Sequence, residues 1–160
     1  MIKLHSSGPE DTRAIGAALA GLSQPCDLIL LAGELGAGKT VLVQGFGAAL
    51  GAPGPITSPT FTLVRTYPAR IPLIHADVYR LEHLQDVIDL ALPELLDEGG
   101  VALVEWGDVA ATTFPPDYLS IRIEFAEEED GRWLQLRGVG PGWAARAEGL
   151  RRALVEWEKG

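Results

Sequence analysis

The sequence predicts one α/β domain with a largely parallel central sheet flanked by helices and carrying antiparallel hairpins. Three observations predict it. A continuous apolar run, Leu28 to Ala32, leads into Gly33-Glu34-Leu35-Gly36-Ala37-Gly38-Lys39-Thr40, which has the spacing G-x-x-x-x-G-K-[ST]. A second unbroken apolar run, Val101 to Val104, lacks the alternation of a half-exposed strand, so both runs read as strands buried on two faces. Helical patterns lie between these runs, and shorter alternating runs supply the hairpins.

Taken in order, Ile2 to His5 reads as a short strand. Ser7-Gly8-Pro9-Glu10 has capping-box spacing with proline near the first turn, and Ile15, Leu19 and Leu22 recur at helical intervals, so a helix is predicted from about 9 to 21. The helix after Lys39 carries Val41, Val43, Phe46 and Leu50 and should end near Gly51, because Pro53-Gly54-Pro55 cannot continue it. Phe61 to Tyr67 is β-branched and aromatic, and a short turn at Pro68-Ala69-Arg70 pairs it with Ile71 to Ala76 as an antiparallel hairpin. Residues 82–97 have helical spacing, divided by Pro93 into two short pieces and ended by Gly99-Gly100. After a loop at Phe114 to Asp117, Tyr118 to Phe125 and Trp133 to Leu136 alternate around the acidic turn Glu127 to Gly131, which is read as solvated. One helix is predicted over about 142–158, with Trp143, Ala147, Leu150, Leu154 and Trp157 as its core stripe.

The chain has 160 residues, enough for a single sizeable core, and an ordinary hydrophobic fraction of 47%. No run approaches the roughly 18 apolar residues of a membrane span, and the first residues lack the apolar core of a signal peptide. Cys26 is the single cysteine, so no internal disulfide is possible and a reducing cytoplasm is the simplest home. Pro25 and Asp27 flank it and no histidine is near in sequence, so it reads as a small buried side chain and not as a nucleophile. The net charge of −9 lacks the basic footprint of a protein that holds nucleic acid by itself.

The chemistry of the glycine-rich turn explains its residue types. Glycines let successive N–H groups point inward as an anion nest, and the helix that follows presents its free N–H groups and positive dipole end to the same phosphates. On this reading Gly33, Glu34, Leu35, Gly36, Ala37, Gly38, Lys39, Thr40 and Val41 surround the phosphates of ATP. Lys39 reaches the β- and γ-phosphates, and the Thr40 hydroxyl binds Mg²⁺. The metal needs a carboxylate at the end of a second buried strand, which is where Glu105 falls. Asp77, also at a strand end, positions the attacking water or supports the metal; a helix N-cap is the alternative. His75 reads equally well as an ordinary strand histidine. Arg80 is either a stabiliser of the transferring phosphoryl group or a surface ion pair. Thr57 to Thr60 lies where a nucleotide-sensing loop would, or is a capped turn. Trp106 covers the nucleotide or packs in the core.

Four segments together carry a resemblance. Gly33 to Thr40, Ser58-Pro59-Thr60-Phe61-Thr62-Leu63-Val64, His75-Ala76-Asp77-Val78-Tyr79-Arg80-Leu81 and Val104-Glu105-Trp106-Gly107 come in the order and spacing of the TsaE family, over roughly residues 5–140. The first segment is shared by many NTPases; the other three are specific. The resemblance implies a P-loop NTPase-type fold and a slow ATPase that works with TsaD and TsaB. TsaD transfers a threonylcarbamoyl group to adenosine 37 of tRNA, and tRNA is met only through that complex. It also implies Thr40 and Glu105 as the Mg²⁺ pair and Asp77 as the catalytic carboxylate, beside Lys39, which the loop's own chemistry makes catalytic. Nucleotide contact by Arg132 and adenine contacts from Ser7 to Thr12 follow from it too. Two positions depart from the family pattern. Val41 stands where a second threonine is often found, and Ala91 where glycine is frequent, which leaves the helix geometry near Ala91 open.

Two rival readings share the phosphate loop. A small-molecule kinase needs an acceptor pocket and usually an arginine-bearing lid, and no long lid-like insertion separates the apolar strands. A nucleotide-gated binding protein, in which ATP orders the 57–60 loop for a partner, overlaps the family reading.

Overall fold

The apolar run before the glycine-rich turn becomes the centre of a seven-stranded sheet. The structure, a computed structural model, describes residues 1–59, 64–78, 84–89, 91–105 and 116–160. Its strands are β1 (Ile2–Ser6), β2 (Leu28–Gly33), β3 (Val64–Tyr67), β4 (Leu73–Asp77), β5 (Val101–Glu105), β6 (Tyr118–Phe125) and β7 (Arg132–Val139), in the order β1-β7-β6-β2-β5-β4-β3. The four central strands β6, β2, β5 and β4 run parallel, and β3, β7 and β1 add antiparallel pairs at the two sides. Every residue of β2 and β5 is buried, as their unbroken apolar character requires.

The helices are α1 (Pro9–Ala20), α2 (Lys39–Leu50), α3 (Leu84–Asp89), α4 (Leu92–Asp97), α5 (Pro141–Ala144) and α6 (Ala147–Leu154). On one face of the sheet, Ile29, Leu31, Leu73 and Leu103 pack with Ile15 and Leu19 of α1 and Leu42, Val43 and Phe46 of α2. On the other face, Leu28, Leu30, Ile74, Ala76, Ala102 and Val104 pack with Leu92 and Leu96 of α4. Alternation along β4 and β5 therefore sends His75, Asp77 and Glu105 to the α1–α2 face. Helices α1 and α2 lie backbone to backbone: a Cβ on Gly16 would stand 2.2 Å from the Leu42 carbonyl oxygen, and one on Gly45 2.0 Å from that of Arg13.

Three sequence expectations change. The capping box does not form. The α1 N-cap is Gly8 without a side-chain cap, and the link runs the other way, from the Ser7 N–H to the Asp11 carboxylate at 2.8 Å. The C-terminal helix is two pieces, α5 and α6, which break at Ala145-Arg146 and end by Leu154. The break lets Arg146 double back. Its guanidinium makes two hydrogen bonds to Asp27, at 2.7 and 2.8 Å, and stacks 3.8 Å from the Trp143 ring centroid. Ala147 is exposed, while Trp143, Leu150 and Leu154 are buried and Trp157 packs against the core. Cys26 is exposed with φ 69, not a buried side chain, and its N–H bonds the Gly100 carbonyl at 2.7 Å.

The chain past α6 runs back along β1, with the His5 N–H on the Trp157 carbonyl and the Lys159 N–H on that of Lys3, both at 2.9 Å. Among the described residues no helix is long and apolar enough to cross a membrane.

Pro93 falls in the first turn of α4, so the predicted division of the 82–97 segment stands. The preceding N-cap, Ala91, is left-handed, at φ 55 and ψ 35. That is the position where glycine suits the backbone and an alanine Cβ is strained. Ala91→Gly is expected to raise stability by about 0.5–1 kcal/mol, less than the left-handed penalty because glycine also loosens the unfolded chain. Urea unfolding reads it, and a lower midpoint would mean that Ala91 is unstrained.

Candidate active site at the carboxyl ends of the parallel strands

The turn between β2 and α2 takes the shape its glycines permit. Gly36 and Gly38 adopt φ 83 and φ 109, conformations that side chains with a Cβ rarely hold. Gly33 is small for a different reason: a Cβ there would lie 2.6 Å from the Ile123 carbonyl oxygen. Glu34, Leu35 and Gly36 stand exposed at the tip, while Ala37 is buried beneath. Helix α2 begins at Gly38 with no side-chain cap, so its first-turn N–H groups have no local side-chain acceptor. A twelve-residue helix with such a start, preceded by a left-handed glycine, has a geometry that suits an anion.

Lys39 is 6% exposed, and its ammonium donates to the Gly33 carbonyl at 2.5 Å and the Glu34 carbonyl at 3.4 Å. Burial pushes the Lys39 ammonium below its ordinary pKa of 10.5, while the charges of Glu105 and Asp77 pull it back up. The two carboxylates act on Lys39 because the register aligns their strands. Asp77 pairs with Glu105 across β4 and β5, and Glu105 pairs with Leu31 across β5 and β2. Asp77 is partly exposed and Glu105 is 4% exposed. Thr40 follows Lys39 in the first turn of α2, half-buried, as is Val41.

His75 is wholly buried, and its Nε2 lies 2.5 Å from Glu105 Oε2. Alternation alone puts His75 and Asp77 on one face, but the contact with Glu105 depends on β4 and β5 being neighbours, which no local pattern reveals. Arg132, at the start of β7, reaches the turn from outside. It donates to the Ala37 carbonyl at 3.0 Å and the Gly36 carbonyl at 3.4 Å, and also to those of Gly131 and Glu129. It therefore grips the loop's backbone, a tie across 95 residues of sequence that its local setting could not announce.

Ser7 to Thr12 runs beside the turn: Thr12 is buried, its hydroxyl 2.7 Å from that of Ser6, and its methyl is 4.0 Å from where a Cβ on Gly38 would lie. Just before Thr57, Ile56 is tied to α2 by Gln44, whose amide donates to the Ile56 carbonyl at 3.0 Å. Thr57 is exposed, Ser58 half-buried and Pro59 buried. Thr60, Arg80 and Trp106 lie outside the described residues.

Comparison with known proteins gives one answer. The family model described as "Threonylcarbamoyl adenosine biosynthesis protein TsaE" matches residues 6–134. The tRNA threonylcarbamoyladenosine biosynthesis protein TsaE of Bacillus subtilis is 37% identical over 152 residues, covering 94% of each chain. The protein of the same name from Streptomyces coelicolor is 40% identical over 139 residues, 82% of this chain and 93% of that one. Among solved structures, the crystal structure of Bacillus subtilis YdiB superposes with a TM-score of 0.76 at 35% identity, covering 95% of this chain and 97% of that one.

Proposed function

The chain belongs to the TsaE family of threonylcarbamoyl adenosine biosynthesis proteins, and from that premise we propose that it is a P-loop ATPase that binds and hydrolyses ATP with Mg²⁺ in complex with TsaD and TsaB. In the cytoplasm that complex carries out threonylcarbamoyl transfer to adenosine 37 of tRNA, and tRNA is met only through the partners. The observation that carries the reading is the convergence of Glu105 and Asp77, from two neighbouring strand ends, on the lysine of an uncapped glycine-lined turn.

The residues fit the group. Among the described residues, no cluster of three or more His, Cys, Asp or Glu side chains is arranged to hold a metal ion. Magnesium needs no such cage, since it is usually held by one or two carboxylates together with substrate phosphates and water. Thr40 and Glu105 would hold it, and when bound it would neutralise charge on the β- and γ-phosphates. Backbone N–H groups of the turn and of the first turn of α2 bind the phosphates, that of Ala37 excepted because the Glu34 carbonyl holds it at 3.0 Å, Lys39 adds a positive charge, and Arg132 keeps the turn in its receptive shape. The Asp77 carboxylate accepts a proton from water as the water oxygen bonds to the γ-phosphorus and the bond to the ADP oxygen breaks. The net charge of −9 agrees with leaving tRNA to its partners.

The test is ATP hydrolysis measured alone, then with TsaD and TsaB. A slow basal rate that rises on adding both, with Glu105→Ala needing more Mg²⁺ at little cost in metal-free nucleotide affinity, is the expected result. Phosphate transfer to an added metabolite without any partner protein would favour a kinase instead.

A further inference from the structure

We propose that His75 is a positioning residue that fixes the Glu105 carboxylate toward the metal through its Nε2–H; this rests on the functional reading above. The geometry is a buried pair whose partners come from neighbouring strands, with Nε2 2.5 Å from Oε2 and relative exposures of 0% and 4% for the two residues. The other ring nitrogen, Nδ1, is buried and has no hydrogen-bond partner among the described residues. That asymmetry selects the tautomer. A hydrogen on Nδ1 would be a buried donor without an acceptor, whereas a hydrogen on Nε2 faces a carboxylate oxygen. The imidazole therefore donates to Oε2 and engages one of the two carboxylate oxygens. Oε1 is left for the metal or a water on it.

A glutamate at this place has a freedom that a shorter aspartate lacks. Its extra methylene adds a rotatable bond, and the negative head could turn toward the Lys39 ammonium, whose charge it already feels. Direct pairing of the two would withdraw both from the phosphates and metal. His75 opposes that collapse, because it holds Oε2 from a strand that is buried at this point and cannot follow. Hydrogen-bonded partners behind a metal ligand typically matter about 10- to 100-fold in metal affinity.

The variants separate the hydrogen bond from the ring. His75→Gln keeps an N–H near the position of Nε2, His75→Asn places its amide near Nδ1, and His75→Leu keeps neither. Binding of a fluorescent ADP analogue is titrated with Mg²⁺ and repeated in EDTA, with thermal melting of each variant. His75→Asn and His75→Leu are expected to need about 10-fold or more Mg²⁺ for half-maximal effect, with EDTA-state affinity unchanged, and His75→Gln to stay within about 3-fold of the parent. Folded Asn and Leu variants with parental Mg²⁺ dependence would overturn the proposal. If either fails to fold, ¹⁵N spectra of the parent imidazole decide it. A hydrogen on Nε2, with a shift on adding Mg²⁺ and ADP, supports the proposal, and a hydrogen on Nδ1 refutes it. Glu105→Ala in the same titration tells the two levels apart. If it too leaves Mg²⁺ dependence unchanged, the ATPase reading fails; if it alone shifts, only the role of His75 does.

Discussion

Lys39→Ala is expected to lower ATP hydrolysis by at least about 100-fold, the usual cost of removing one preorganised charge from a phosphoryl or oxyanion site. The substitution removes a buried ammonium that sits within the turn, on the carbonyls of Gly33 and Glu34. It also leaves Glu105 and Asp77 without the positive charge that interacts with both. Those carboxylates would then repel the phosphates they are meant to serve, so nucleotide affinity should fall with the rate. Lys39→Arg should not rescue, because a planar fork cannot replace a compact ammonium in a site this enclosed. Stability should not fall in parallel, since burying the ammonium disfavours its charged form. Steady-state hydrolysis and nucleotide binding, with melting as the fold control, read the result. Hydrolysis near the parental rate would remove the turn from the catalytic account.

Gly45→Ala is expected to destabilise the protein by about 2 kcal/mol or more, although alanine is the better helix former by about 1 kcal/mol. The added Cβ would meet the Arg13 carbonyl oxygen at 2.0 Å and the Arg13 carbonyl carbon at 2.6 Å. Backbone cannot rotate away as a side chain can, so α1 and α2 must separate. Helix α2 begins with Lys39 and Thr40, and separation moves both relative to β5, so nucleotide affinity should fall as well. Gly149→Ala in α6 is the control. Its Cβ would meet only the Leu22 side chain, at 3.5 Å, and the change should be neutral or slightly stabilising. Urea unfolding of both variants measures the difference. A Gly45→Ala midpoint at or above the parental one would show that the helices are not held at the close approach seen here.

Element type was legible wherever one local rule acted without competition. The apolar runs Leu28 to Ala32 and Val101 to Val104 could only be doubly buried strands, and Gly51 and Pro93 ended and began helices where their backbones allow. Local rules failed where a distant group competed. The stripe from Trp143 to Trp157 is continuous in sequence, yet the helix breaks at Arg146, whose guanidinium is held by Asp27 from the start of β2. A neighbour can compete too: Ser7 has a capping-box partner in Glu10, yet its N–H goes to Asp11, one residue further on. Ala91 departs from the family's pattern, and its left-handed backbone supplies the reason glycine suits that place.

The sequence by itself determined the glycine-rich turn, because the glycines, Lys39 and Thr40 act through their own backbone and immediate neighbours. It also placed Glu105 and Asp77 at strand ends, because an apolar run that stops at a charge is a local signal. Only the tertiary structure decided that β4 and β5 lie side by side, that His75 meets Glu105, and that Arg132 and Gln44 tie distant segments to the turn and to α2. Strand order is set by the total burial that each arrangement achieves, a sum over the whole chain that no short stretch contains.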